Sequence, residues 1–398
     1  MGYVDFERTV AASNYDPLPI VLHQAKGCWV TDVEGRRYLD MMSAYSAVSL
    51  GHGHPRILNA MVEQASRLAV TSRAYYTDAL GPFLAALVAL TGLDRALPMN
   101  TGAEAVETAI KAARRWGYQV KNIAKDRAEI IVAENNFHGR TTTIVGFSSE
   151  EAYREGFGPF APGFRAVPFG DAAAVAEAVG ENTCAVLVEP IQGEAGIVVP
   201  PEGYLRDLRA ICDAHGILLI LDEVQSGLGR TGRWFAHEHE GIRPDGLILG
   251  KALGGGVYPV SAFVATRDVM QVFDPGSHGS TFGGNALAAR IGLEALKVIE
   301  DEDLVRRSAE LGAYLLERLR AMRTNFVTDV RGKGLWVGVE VDPEVASARS
   351  LCEALAREGV LSKDTHGRVL RFAPPLTITR EEIDWAMERV GRVFATAA

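Results

Sequence analysis

Four short runs between residues 128 and 250 are almost wholly apolar: AEIIVAE at 128–134, CAVLVEP at 184–190, ILLILDE at 217–223 and GLILG at 246–250. Brevity, β-branched residues and polar flanks give them the pattern of strands buried on both faces. Between and before them, AVETAIKAARRWGY at 105–118 and GYLRDLRAICDAHG at 203–216 place apolar residues at helical spacing. Strand and helix in alternation predict a mostly parallel central sheet with helices on both faces, assigned to residues 46–290. Residues 1–45 read as an irregular lead followed by short strands, with GCWVTDVEGRRYLDM turning at Glu34-Gly35 like a hairpin. Residues 291–398 open on one long helical pattern, IGLEALKVIEDEDLVRRSAELGAYLLERLRAM, and then mix helices with strands such as GLWVGVEV. They predict a smaller α+β domain, packed with the N-terminal segment, on an α/β protein.

Ligands of an open parallel sheet bind beyond the carboxyl ends of its strands. The residues at the end of each run therefore carry the most information. NNFHGRTT succeeds the first, EPIQGEAG ends the second, DEVQSGLGRTG ends the third and GKALGGG the fourth. Four polar or glycine-rich strand ends are expected to converge on one crevice.

At 398 residues the chain is too long for one simple core and suggests about two domains. A hydrophobic fraction of 47% with 23% charged residues fits a soluble globular protein. The net charge of -9 leaves no basic footprint for nucleic acid or an anionic membrane, while a local basic pocket could still take a small anion. Cys28, Cys184, Cys212 and Cys352 are scattered with no CxxC pair, which argues against zinc or disulfides and fits a reducing cytoplasm. The opening MGYVDFERTV lacks the basic-then-apolar order of a secretory signal, and no apolar stretch reaches the roughly 18 residues of a membrane helix.

Lys251 ends the fourth run. A loop lysine ordinarily faces solvent. A phosphate-binding P-loop is excluded, because Ala252 stands where Ser or Thr would bind magnesium and the glycines follow the lysine. The other reading is a Schiff-base nucleophile, which needs a buried neutral amine and small neighbours. Asp222 ends the third run and reads either as a strand-end turn or as a carboxylate facing the ring nitrogen of pyridoxal phosphate, keeping it protonated. Asn100, Thr101 and Gly102 open a helical pattern, serving as a plain N-cap or as an anion site. Ser280 and Thr281 in GSHGSTFGGNALA are further hydroxyl donors or simple turn residues. In FHGRT, Phe137 could stack on a ring and Arg140 could hold a carboxylate, or form a surface ion pair. The pairs His52/His54 and His237/His239 have no third ligand at helical spacing, so no metal is expected.

Taken together, the motifs resemble those of the class III, fold-type I aminotransferases dependent on pyridoxal phosphate. The resemblance runs over nearly the whole chain, through DVEGRRYLDMMSAYSAVSLGHGHP, LPMNTGAEAVETAIKAARRWGY, EPIQGEAGIVVP, LDEVQSGLGRTGRW, RPDGLILGKALGGGVYPVSA and GSHGSTFGGNALA. SAYSAV, GFGPF, MNTGAEA with KAARRWGY, and RFAPPL point to its ornithine branch. The resemblance implies transfer of the δ-amine of ornithine to 2-oxoglutarate in two half-reactions. Lys251 would bind the cofactor as a Schiff base and shuttle the proton. Asp222 would pair with the ring nitrogen, Gln225 would lie near the ring hydroxyl and Phe137 would stack on the ring. Gly102, Ala103 and Ser280 would hold the phosphate, with Thr281 joining from a second subunit of a homodimer or larger assembly. Tyr15, Tyr45 and Arg140 would orient ornithine by its α-carboxylate and α-amino group.

Glu194 and Arg371 would act as a switch. An unpaired arginine facing the cofactor would repel the δ-ammonium end of ornithine. Pairing with Glu194 neutralises it, and the pair opens for the α-carboxylate of 2-oxoglutarate at a typical cost of several kcal/mol. Two departures stand out: His138 follows Phe137 where animal relatives carry tryptophan, which would touch the edge of the substrate site, and the lysine turn reads ALGGG in place of ALSGG. The rivals are a sister specificity, for acetylornithine or 4-aminobutyrate, and a silent binding protein on the same fold. Tyr45 counts against the first; intact Lys251 and Asp222 count against the second.

Overall fold

A computed structural model describes residues 2–322 and 324–397. Three strands lie early in the chain: β1 (Leu22–Lys26), β2 (Trp29–Asp32) and β3 (Arg37–Asp40). Seven come in the middle: β4 (Arg95–Met99), β5 (Glu129–Ala133), β6 (Phe164–Val167), β7 (Thr183–Val188), β8 (Leu218–Asp222), β9 (Gly246–Leu249) and β10 (Ser261–Ala265). The last five are β11 (Val327–Gly332), β12 (Val337–Val341), β13 (Val360–Leu361), β14 (Lys363–Thr365) and β15 (Val369–Phe372).

The middle seven form one sheet in the order β4-β10-β9-β8-β7-β5-β6. Pairing is parallel from β6 through β9, and β10 runs antiparallel to both its neighbours. Every residue of β7, β8 and β9 is buried, as their unbroken apolar runs require. Each fully buried Leu, Ile or Val there contributes about 1.5–3 kcal/mol, so the carboxyl ends of these strands are fixed points. The helix Gly102–Gln119 begins just beyond β4 and packs against β7, β9 and β10. Thr101 caps it, its side chain accepting from Glu104 N while Glu104 reaches back to Thr101 N, a capping box.

The N-terminal strands share a sheet with a strand from the far end of the chain: the order is β1-β2-β3-β13, with β3 and β13 parallel. A third sheet, β11-β12-β15-β14, is antiparallel throughout. Arg371 lies on β15 of this sheet.

Three expectations need correction. The long helical pattern from residue 291 is two helices, Ala286–Asp301 and Leu304–Arg320, broken where Asp303 turns left-handed at φ 54. The break is so short that apolar spacing runs across it undisturbed. The expected irregular lead holds a helix at Tyr3–Val10, which buries none of its residues and so had no core-facing stripe to reveal it. Strands β4, β6 and β10 had no expected counterpart; β4 contains Pro98, which an edge strand tolerates because one side of it needs no N–H donor. Among the described residues, no helix is long and apolar enough to cross a membrane.

Candidate active site

The carboxyl ends of β5, β7, β8 and β9 do converge. They enclose a cavity of about 190 Å³, closed on one side by Gly102 and Ala103 at the start of their helix. Phe137 and His138 follow β5, Glu189 follows β7, Asp222 ends β8 and Lys251 follows β9.

Lys251 is the first residue of a short turn after Gly250 and sits at φ 44, a costly conformation for a residue with a Cβ. Burial holds its amine below the ordinary lysine range; the charges of Glu194, Asp222 and Glu189 oppose that, and Arg371 adds to it. The net effect shifts the amine toward its neutral, nucleophilic form.

Asp222 is 5% exposed and has both oxygens engaged. Oδ1 accepts from Val224 N at 3.0 Å, and Oδ2 lies 2.7 Å from His138 Nδ1. Burial disfavours a charged His138, but the hydrogen bond to Asp222, its charge and that of Glu189 outweigh this and raise the imidazole above its usual range. Nδ1 therefore donates and Asp222 is the acceptor. His138, expected at the edge of a substrate site, lines the cavity and bonds Asp222, its side chain fully buried with Nε2 unpartnered. Glu189, for which the sequence pattern alone suggested no role, accepts from Phe137 N at 3.0 Å and Gly193 N at 3.2 Å. Burial pushes its carboxyl up to about 7, with Asp222 adding and the His138 charge and the two backbone donors opposing. The signal that could have found it is positional: Glu189 ends its apolar run as Asp222 ends the next.

Gly102 and Ala103 lie in the first helical turn, where backbone N–H groups have no intrahelical acceptor. A Cβ on Gly102 would stand 3.0 Å from Val224 Cγ1, so Val224 would have to give by a few tenths of an ångström to admit one. Ser280 is tied to the same region: its Oγ accepts from Asn100 Nδ2 and Gly283 N, each at 3.0 Å. Thr281 beside it is exposed.

Arg371 and Glu194 meet. Nη1 lies 2.8 Å from Oε1, and the guanidinium stands 4.9 Å from the centre of the Tyr45 ring. Burial would raise the Glu194 carboxyl, but Arg371 and then Lys251 hold it below its ordinary value. Thr365 Oγ1 donates to the Glu194 carbonyl at 2.6 Å, and Gln225 Nε2 lies 3.5 Å from Glu194 Oε1. Arg140 is exposed, its guanidinium 4.2 Å from the Tyr153 ring centre. Tyr15 is 76% exposed and is not among the residues lining the cavity. The histidine pairs serve other ends: His52 meets Asp40, His54 meets Glu302 and His237 meets Glu223, while His239 meets Thr231.

A buried lysine amine, a histidine-backed carboxylate and a helix N-terminus around one cavity of a doubly covered sheet define an α/β group-transfer enzyme. Comparison with known proteins narrows this. The Aminotransferase class-III family model matches residues 10–394, and the chain belongs to that family. It is 57% identical over 384 residues to an ornithine aminotransferase of Geobacillus sp. (strain WCH70), covering 96% of each chain. A Toxoplasma gondii ornithine aminotransferase structure, reported with partial occupancy of PLP at its active site, superposes with a TM-score of 0.98 at 43% identity, over 99% of this chain and 94% of that one. An acetylornithine aminotransferase structure from Elizabethkingia anophelis superposes at 0.90 with 45% identity, over 99% and 98%.

Proposed function

We propose that the chain transfers the δ-amine of L-ornithine to 2-oxoglutarate, giving glutamate 5-semialdehyde and glutamate, with pyridoxal 5'-phosphate as cofactor. The observation that carries the choice of substrate is the Arg371–Glu194 pair at 2.8 Å under the Tyr45 ring. A neutralised arginine lets a terminal ammonium approach Lys251, and an arginine that can be released serves the α-carboxylate of the second substrate.

The cavity's donor set fits the cofactor: an amine for an aldehyde, a carboxylate for a ring nitrogen, N–H groups at a helix start for a phosphate, and a wall at Gly102 where a Cβ would crowd Val224. Lys251 would hold it covalently, Asp222 would face the ring nitrogen with Gln225 near the ring hydroxyl, Phe137 would stack on the ring, and Gly102 and Ala103 with Ser280 would hold the phosphate. When bound, pyridoxal phosphate supplies an electron sink for the pair released as a C–H bond breaks.

The chain's own residues do the rest. His138 donates to Asp222 and holds its carboxyl group in place. Lys251, displaced from the cofactor by the substrate amine, would take the proton from the δ-carbon and deliver it to the cofactor's carbon, a task its lowered basicity suits. Tyr45 and Arg140, with Tyr15, would orient the far end of ornithine. We place the active unit as a homodimer or larger, in which the exposed Thr281 completes a neighbour's phosphate site, and the setting as cytoplasmic. The same reading divides the chain into an N-terminal segment 1–45, a large cofactor domain 46–290 and a small domain 291–398. The runner-up is acetylornithine, favoured by the 45% identical structural neighbour of that name; its blocked α-amine would forfeit the contact proposed for Tyr45. The test is the ratio of kcat/KM for ornithine against acetylornithine and 4-aminobutyrate: ornithine is expected to lead, and a lead by either rival overturns the assignment.

A further inference from the structure

Ser43, Ala44, Tyr45 and Ser46 have φ values of 43, 46, 58 and 74. Left-handed backbone is costly for any residue with a Cβ and ordinarily occurs one residue at a time. Here four in a row make a left-handed turn without a single glycine, and the turn carries Tyr45. Such a run persists only where its surroundings over-determine it.

On the upstream side, Asp40 Oδ1 accepts from Met42 N and Ser43 N, each at 2.9 Å. Downstream, Ser49 Oγ donates to the Ser46 carbonyl at 2.8 Å. Both sides meet at Arg230. Its Nη2 donates to Ser43 Oγ at 3.2 Å and Ser49 Oγ at 2.8 Å, and its Nη1 donates to the carbonyls of Leu335 at 2.9 Å and Pro374 at 2.6 Å. Ser43 Oγ in turn donates to the Ala373 carbonyl at 2.6 Å, and Ala373 N donates to the Met41 carbonyl at 2.6 Å. Ala373 and Pro374 follow Arg371 closely in sequence. The segment bearing Tyr45 and the segment bearing Arg371 are thus laced together, with one guanidinium as their common donor.

Arg230 is 0% exposed, and its hydrogen-bond acceptors are all neutral oxygens. Burying a cation without a direct counter-ion is a poor route to stability, and apolar packing would hold the same volume more cheaply. Fixing a geometry is a better reason for it.

We propose that Arg230 is a positioning residue for substrate choice: through Ser43 and Ser49 on one side and Pro374 on the other, it sets how Tyr45 lies over Arg371, and so how firmly Arg371 stays with Glu194 while a terminal-amine donor is bound. Arg230 is not among the residues lining the cavity and takes no part in proton transfer. The inference rests on the substrate reading above.

The test uses Arg230→Lys and the double variant Ser43→Ala/Ser49→Ala, each loaded with pyridoxal phosphate and monitored in two separate half-reactions, one with a terminal-amine donor and one with glutamate. Wild type is measured first. If it does not use ornithine, the substrate reading falls by itself, and the terminal-amine donor it prefers takes ornithine's place in the comparison. Both variants should lose about tenfold or more in kcat/KM for the terminal-amine donor, chiefly through KM, while glutamate changes by less than about threefold or improves. The shift should run in the direction produced by Tyr45→Ile, which removes the ring itself. A proportional fall in both half-reactions would mark Arg230 as merely structural and overturn the proposal, as would an unchanged donor ratio. Should Arg230→Lys fail to fold, the serine double variant decides: it removes two hydroxyls that accept from Arg230 and that donate to the Ala373 and Ser46 carbonyls, and leaves the guanidinium in place.

Discussion

Arg371 Nη1 lies 2.8 Å from Glu194 Oε1, and both side chains face Lys251 closely enough for their charges to act on its amine. On the proposed reading, the pair cancels a positive charge where an ammonium substrate would enter. Glu194→Ala should therefore leave Arg371 unpaired and lower kcat/KM for ornithine by on the order of 10- to 100-fold, with glutamate spared or improved, because truncating one partner of a buried pair strands the other charge. Single-turnover kinetics with each substrate checks this; an equal loss for both would argue against a switch.

His138 lines the cavity and bonds Asp222 at 2.7 Å. His138→Phe removes a hydrogen bond to a charged group, worth roughly 1.5–3 kcal/mol, or about 10- to 150-fold in rate. Both half-reactions should slow together, since Asp222 serves both. Retention of full activity in either one would show that Asp222 needs no such support.

Glu189 gives a pH dependence with a definite sign. Its folded carboxyl titrates at about 7 against an ordinary 4.5. A group whose pKa is raised on folding lends stability that is complete below the unfolded value and is lost as pH rises through the folded one. Cofactor-free wild type should thus lose melting temperature between about pH 4.5 and pH 7 more steeply than Glu189→Gln. Parallel melting curves for the two proteins across that window would refute the raised pKa.

Thr281 is exposed next to Ser280, which is bonded to Asn100 just before the helix Gly102–Gln119. If Thr281 completes a neighbour's phosphate site, the active species sediments as a dimer or larger, and Thr281→Ala weakens pyridoxal phosphate binding. A fully active monomer would rule this out.

Much of this arrangement was legible in the residues themselves. Lys251 and Asp222 each close an apolar run, and runs buried on both faces allow few other placements. The helix start at Thr101-Gly102 carried its own capping signal in Glu104. What sequence could not give was contact across distant segments: that His138 turns under Asp222, that Glu189 takes two backbone donors, and that Arg230 joins Ser43 to Pro374. These depend on tertiary approach and leave no periodicity. Tyr15 marks another limit. The resemblance implies a substrate contact for it, yet it is 76% exposed and is not among the residues lining the cavity.

The most direct measurement mixes the pyridoxal-phosphate-loaded protein with L-ornithine alone, monitors the cofactor's visible absorbance and traps the released product. Stoichiometric conversion of the bound cofactor to its amine form, with glutamate 5-semialdehyde recovered as its cyclised form and nothing comparable from Lys251→Ala, is the expected result. No spectral change with ornithine, a product aminated at the wrong end, or substantial turnover by Lys251→Ala would contradict the assignment of Lys251 and of ornithine as its substrate.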